Sequence, residues 1–272
     1  MIDPAAFRLG IFQNRPIRTD VAGNRVRAEE MISAAPTADL WLLPELAFTG
    51  YQFVDRAELS RYAEEVPGAT SNWAQELTHK LDCYITYGFP LKVAGKIFNA
   101  ATIIGKDGVV GIYQKTHLFF REKDYFDAGE DGFKVWDIGG AGIGMMICFD
   151  WIFPESARTI ALMGADLILH PANLVLHYSQ RAMYARAVEN GVYTATVNRV
   201  GAETLDNCTL CFQGGSIVYS HRGRTIRRLN RGKSAREGCA VVTLDLILAR
   251  DKQFTPTNHL FNDRRPALYK LD

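Results

Sequence analysis

Residues 143–170, IGMMICFDWIFPESARTIALMGADLILH, decide the fold. Ile143 to Ile147 is a short apolar run ending at Cys148, which reads as a buried strand. Glu155 to Met163 follows with helical character, and Gly164 is placed to end that helix. Asp166 to His170 is the next apolar run. A strand, a helix and a strand in about thirty residues predict a layered α/β fold, with Cys148 at the mouth of the first strand.

The same alternation extends in both directions. Upstream, Phe7 to Phe12 is a strand candidate, Asp20 can cap a helix with Val21, Ala28, Ile32 and Ala35 near one face, and Leu40 to Leu43 is a buried strand stopped by Pro44. Tyr84 to Phe89 is a strand, and Ala100 to Ile104 with Val109 to Tyr113 flank Asp107-Gly108, a dipeptide that favours a tight hairpin turn. Downstream, Tyr178 to Asn190 reads as a helix with Gly191 just past its end, followed by strands at Val192 to Val197, Ser216 to Tyr219, Thr225 to Leu229 and Ala240 to Leu244. Hairpins mixed with strand-helix units argue against a purely parallel sheet. No Pro/Gly/Ser-rich linker or abrupt change of composition divides the chain, so residues 1–272 read as one domain.

Composition narrows the function classes. The 272 residues carry 31 Lys plus Arg against 30 Asp plus Glu, a net charge of +1, which gives no whole-protein field for nucleic acid or an anionic membrane. With 47% apolar and 22% charged residues the chain is an ordinary globular one. The stretch Met1 to Phe12 lacks the basic start and apolar core of a signal peptide, and Ile138 to Phe149 is too short and Gly-rich to span a bilayer. A cytoplasmic protein is expected. Five cysteines, an odd number at irregular spacing, fit reduced thiols.

Glu45, Lys115 and Cys148 each fall just past an expected buried strand, where a rigid sheet delivers a side chain to a pocket. Singly, each has a plain structural reading: a packed core cysteine, a helix-start carboxylate, a surface charge. Together they form a chemical set. A thiol attacks as thiolate and needs a neighbour to take its proton, a carboxylate can hold and return that proton, and an ammonium can stabilise a negative tetrahedral oxygen.

The blocks around these residues are similar to the three signature blocks of the nitrilase superfamily, the carbon-nitrogen hydrolases. They are Pro44-Glu45-Leu46 with Gly50-Tyr51, then Lys115-Thr116-His117-Leu118-Phe119, then Cys148-Phe149-Asp150-Trp151-Ile152-Phe153-Pro154-Glu155. Their order matches too, and Gly164-Ala165-Asp166, Arg186 to Asn190, Asn198 to Gly201 and Asp263 to Pro266 extend the likeness over nearly the whole chain. The chain looks closest to compact archaeal and bacterial nitrilase-like amidases. The resemblance implies an α-β-β-α sandwich that pairs into an α-β-β-α-α-β-β-α homodimer. It implies Glu45 as general base, Lys115 as stabiliser of the tetrahedral intermediate, Cys148 as nucleophile and Glu122 as a second glutamate beside the lysine. The Phe149 N–H would complete an oxyanion hole, with Tyr51, His117, Trp151 and Asn173 expected around the substrate. Neither a metal nor an organic cofactor is implied.

The expected reaction is hydrolysis of a small amide through a Cys148 thioester, releasing ammonia and a carboxylic acid. Nitrile hydrolysis and N-carbamoyl hydrolysis use the same residues and stay open, as does a non-catalytic interaction protein on the same fold. Cys208-Thr209-Leu210-Cys211 raises a zinc or thiol-exchange reading, but no second pair accompanies it. Arg222 to Arg236 holds seven basic residues without interleaved aromatics and reads as a solvated hairpin or subunit contact. His79, His170, His177, His221 and His259 show no ligand spacing and are expected to be structural or surface residues.

Overall fold

The computed structural model describes residues 2–269. The first strands show how period-two alternation builds two faces at once. β1 (Phe7–Gln13), followed by α1 (Val21–Ser33), and β2 (Leu40–Leu42) turn Phe7, Leu9, Ile11, Leu40 and Leu42 to one side and Phe12 and Trp41 to the other. Next come α2 (Arg56–Tyr62), α3 (Ala69–Leu81), and the antiparallel strands β3 (Tyr84–Val93), β4 (Lys96–Gly105) and β5 (Gly108–Gln114). The hairpin turn lies one residue earlier than expected: Gly105 pairs with Gly108, leaving Lys106 and Asp107 as its two central residues. Gly108, at φ +105°, opens the strand, because a glycine takes that backbone angle without Cβ strain.

After the short helix α4 (Glu122–Tyr125) a second set begins with β6 (Val135–Ile138), β7 (Ala141–Met145), α5 (Pro154–Leu162), β8 (Leu167–Ala172), α6 (Ser179–Asn190) and β9 (Tyr193–Asn198). A protruding hairpin, β10 (Val200–Leu205) with β11 (Cys208–Gln213), precedes β12 (Ile217–Tyr219), β13 (Thr225–Arg228) and β14 (Gly238–Leu244). The strands assemble into two six-stranded sheets, ordered β14-β1-β2-β3-β4-β5 and β13-β12-β9-β8-β7-β6. Both are mixed: β1, β2 and β3 run parallel, as do β7, β8 and β9, while the outer pairs are antiparallel. The expected α/β class is what the structure has.

One core cluster joins Leu9, Leu42, Ala101 and Ile103 of the first sheet to Ile143, Leu169, Ala195 and Val197 of the second, so the sheets pack face to face. A second cluster puts Ala28 and Ile32 of α1 and Ala74 and Leu77 of α3 on the outer face of the first sheet. α5 contacts β7, and α6 contacts β9 and β12, on the far side of the second. The layers run helix, sheet, sheet, helix. No helix among the described residues is long and apolar enough to cross a membrane.

Two sequence motifs resolve here. Cys208 and Cys211 lie three residues apart on β11, which sends their side chains to opposite faces with Cα atoms about 10 Å apart at roughly 3.4 Å per residue. That is beyond disulfide reach, and one ion cannot be gripped by both, so the zinc and thiol-exchange readings fall. The basic run belongs to the β12–β13 hairpin and the loop after it, with Arg227 and Arg228 exposed on an edge strand, where charge discourages edge-to-edge pairing.

Candidate active site

Glu45, Lys115, Glu122 and Cys148 meet in the interior at the strand ends, each 4% exposed or less. Glu45 follows β2 in a loop that crosses β3 at Gly88, where a Cβ would stand 2.5 Å from the Glu45 Cα and 2.7 Å from the Leu46 nitrogen. Only a residue without a side chain admits that crossing, which the Gly88 N–H pins by donating to the Pro44 carbonyl at 3.0 Å. Lys115 follows β5, its N–H donating to the Asn99 carbonyl at 2.8 Å. Cys148 lies beyond the end of β7 and opens a 3₁₀ turn over Cys148–Ile152 with φ +41°, a left-handed conformation that strains a non-glycine residue.

The Lys115 ammonium donates to Glu45 Oε1 at 2.7 Å and lies 2.8 Å from both Glu122 oxygens. Each carboxylate oxygen has at least one further partner, and Glu45 Oε2 keeps a lone pair unused. Glu45 Oε1 also accepts from Asn99 Nδ2 at 2.7 Å, and Oε2 from the Asn173 N–H at 2.9 Å. Glu122 accepts from the Tyr51 hydroxyl at 2.6 Å and from the Phe119 N–H at 3.2 Å. Such pairing is what makes three dry charges tolerable.

This arrangement shifts the ionisation of Lys115, Glu122 and Cys148. Burial alone would lower the Lys115 pKa, but Glu122 and Glu45 outweigh it and hold the ammonium above its ordinary value. Burial pushes the Glu122 carboxyl up, against the pull of Lys115. Burial also lifts the Cys148 thiol well above the usual thiol range, reinforced by the Glu45 and Glu122 charges and opposed by Lys115 and the Asn173 N–H. A thiol shifted in this direction favours its neutral form and would need a neighbouring base to act as a nucleophile.

The expected surrounding residues divide. Phe149, Trp151 and Asn173 line the pocket over Cys148 with Phe119, Leu174, Val175, Leu176 and Ser179, around a narrow cavity of about 10 Å³. Asn173 also donates its side-chain amide to the Glu45 carbonyl at 2.9 Å. Tyr51 and His117 do not line that pocket. The Tyr51 hydroxyl is committed to Glu122, and His117 stacks on Phe153 at 3.9 Å with Nδ1 2.7 Å from Asp150 Oδ1. A larger open groove of about 580 Å³ beside Leu91, Val109 and Trp136 carries no cysteine, so size does not mark the site.

Four supporting groups escaped sequence reasoning. Asp150 Oδ2 accepts from the Ile147 N–H at 2.8 Å and the Tyr113 hydroxyl at 2.8 Å, tying the cysteine turn to both sheets. Asn99 holds Glu45, and its signal was a polar residue inside an otherwise apolar strand. Glu203, paired with Arg199, takes the backbone N–H groups of Tyr51 and Gln52. The fourth, His170, was expected to be structural or on the surface. It is fully buried on β8, with Nε2 2.9 Å from the Cys148 carbonyl oxygen and Nδ1 3.0 Å from Thr196 Oγ1. No group of three or more His, Cys, Asp or Glu side chains among the described residues is disposed to hold a metal ion.

Known proteins share this construction. The carbon-nitrogen hydrolase family model matches residues 8–252. The chain is 43% identical over 249 residues to a nitrilase of Pyrococcus abyssi, covering 90% of this chain and 92% of that one. It is 31% identical over 276 residues to an N-carbamoylputrescine amidase of Solanum lycopersicum, covering 93% and 90%. Among solved structures, a glutamate-to-glutamine mutant of the amidase from Nesterenkonia sp. AN1, with acrylamide added to its active-site cysteine, matches with a TM-score of 0.78 at 25% identity, covering 96% of this chain and 98% of that one.

Proposed function

The chain belongs to the carbon-nitrogen hydrolase family, the nitrilase superfamily, and is a hydrolytic enzyme of that family. From that premise we propose that it cleaves a small uncharged amide to a carboxylic acid and ammonia, with Cys148 as nucleophile. The observation that carries the reading is a buried cysteine beside a hydrogen-bonded Glu45–Lys115–Glu122 cluster.

In the proposed mechanism Glu45 takes the thiol proton as Cys148 Sγ attacks the amide carbon. The oxyanion that forms is met by the Lys115 ammonium and the Phe149 N–H. Glu45 returns the proton to the departing nitrogen, ammonia leaves, and a thioester remains on Cys148. A water deprotonated by Glu45 then attacks the thioester carbon, and collapse gives the acid and the regenerated thiol. Glu122 keeps Lys115 charged and directed. Cys148→Ala is expected to abolish ammonia release while leaving the melting temperature close to that of wild type; full activity in that variant sinks the mechanism.

The pocket wall supports an uncharged substrate. Phe119, Phe149, Trp151, Leu174, Val175 and Leu176 offer no partner for a charged tail, and a buried unpaired charge is costly. The room over Cys148, about 10 Å³, is far below the usual volume for drug-sized ligands, which favours a small substrate. Butyramide is therefore expected to exceed both 4-aminobutyramide, a cation, and succinamate, an anion, by at least about tenfold in kcat/KM, since each 1.4 kcal/mol of desolvation is a factor of ten. Equal or better turnover of either charged amide would refute the substrate class. Nitrile hydrolysis is the second reading, favoured by the 43% identical relative named a nitrilase, and ammonia release from butyronitrile tests it.

A homodimer in the cytoplasm completes the proposal. Leu162 and Met163 at the end of α5 and Tyr184 on α6 are exposed apolar residues of the outer helical layer, a surface suited to a second copy.

A further inference from the structure

We infer that His170 is a positioning residue for the hydrolysis: its ring holds the Cys148–Phe149 peptide so that the Phe149 N–H faces the developing oxyanion. This rests on the hydrolase reading above.

The argument begins with which atoms can donate. A backbone carbonyl only accepts, so the 2.9 Å contact between His170 Nε2 and the Cys148 oxygen requires the proton on Nε2. In a neutral ring Nδ1 is then an acceptor, and Thr196 Oγ1, 3.0 Å away on β9, must donate to it. The two contacts select one tautomer. Burial lowers the ring pKa to about 4, so the neutral form persists throughout the neutral range.

The carbonyl that His170 holds and the Phe149 N–H belong to one planar trans peptide, in which C=O and N–H point in opposite directions. Fixing one end aims the other, and a hydrogen bond to the carbonyl polarises the amide and strengthens its N–H as a donor. The Phe149 N–H donates to no backbone carbonyl outside its own 3₁₀ turn. A tether is needed because Cys148 at φ +41° is in a left-handed conformation that strains a non-glycine residue, and a peptide under strain relaxes unless its surroundings hold it. His170 supplies that hold from β8, a strand inside the second sheet, so the aim is set by a rigid element.

The test is a comparison of His170→Leu with His170→Gln, whose side-chain amide can present an N–H near the place of Nε2. In His170→Leu, kcat for butyramide is expected to fall about ten- to hundredfold, somewhat less than the roughly 10²–10³ for outright loss of an oxyanion donor, because here the donor is mis-aimed and not removed. KM is expected to stay within about threefold. His170→Gln is expected to recover most of the lost kcat. An unchanged kcat in a folded His170→Leu overturns the inference, and so does equal damage in both variants, which would mean packing alone. Wild-type protein gives a readout independent of variant folding and of substrate: ¹⁵N-edited spectra of the His170 ring should show the Nε2–H tautomer at neutral pH, and an Nδ1–H ring overturns the inference. Absence of wild-type turnover strikes the hydrolase reading, whereas an active wild type with an indifferent His170→Leu strikes only this one.

Discussion

At the scale of single residues, the site is a set of long-range pairings, and their range decided what sequence could disclose. Glu45, Lys115 and Cys148 were legible because each ends a recognisable apolar run inside an ordered block. His170 was not, since its partners are 22 and 26 residues away and its own run looks like any buried strand. For Tyr51 and His117, motif proximity gave the neighbourhood but not the partner: Tyr51 donates to Glu122 of the cluster, and His117 pairs with Asp150. His170 also has a stability signature. Its ring takes a proton near pH 6.5 in the unfolded chain but only near 4 when folded, where burial dominates and Asp150, Glu45 and Lys115 are the charges around it. Between those values the unfolded state binds more protons, so stability rises with pH through that window and is lost as pH falls through it. The shift is worth about 3 kcal/mol at 1.36 kcal/mol per unit. His170→Gln is expected to remove that contribution, flattening the urea-derived stability between pH 6.5 and 4 relative to wild type. Parallel wild-type and variant curves would contradict it.

At the scale of elements, the strands and helices with an apolar stripe were readable and those without one were not. α3 went unrecognised because its buried face is Thr70, Ser71, Ala74, Leu77 and Thr78, mostly polar or small groups. The β10–β11 hairpin was missed because it is only partly buried and its alternation is weak. The strand ends do more than pack: β3 carries the notch at Gly88 that the Glu45 loop occupies. A methyl group there meets backbone on the opposing loop, which has no rotamer with which to yield. Gly88→Ala is therefore expected to cost about 1–3 kcal/mol of stability, in the range of core overpacking, and to lower kcat more than it raises KM by displacing Glu45 from Lys115. Denaturant midpoints with steady-state kinetics check both parts. Wild-type kcat in the variant would show that the loop tolerates displacement without moving the carboxylate.

At the scale of the whole molecule, the alternation along the chain specified α/β layers but not their order. β1 pairs with β14 across more than 220 residues, a closure that no local pattern encodes, and the layer sequence was accessible only through likeness to a known family. The proposed homodimer uses the outer layer of α5 and α6 over the second sheet, part of which the C-terminal segment covers through Phe261 against Arg158 and Lys252 donating to the Asn190 and Gly191 carbonyls. The same layer touches the site: Leu176 and Ser179 line the pocket, and Ser179 is the first residue of α6. A second copy seated on α6 would brace that wall, so assembly and substrate binding are expected to be coupled. In a two-fold interface one substitution appears on both subunits, so an added charge is introduced twice into the buried patch. Leu162→Arg and Tyr184→Arg, each at an exposed position, are expected to shift sedimentation velocity from dimer to monomer while leaving the folded core intact. The resulting monomer should show a KM for butyramide raised several-fold with kcat less affected, since the wall loosens but the Glu45–Lys115–Glu122 cluster sits deep between the sheets. Dimers that persist in both variants would move the interface to another face, and monomers with an unchanged KM would separate assembly from the pocket.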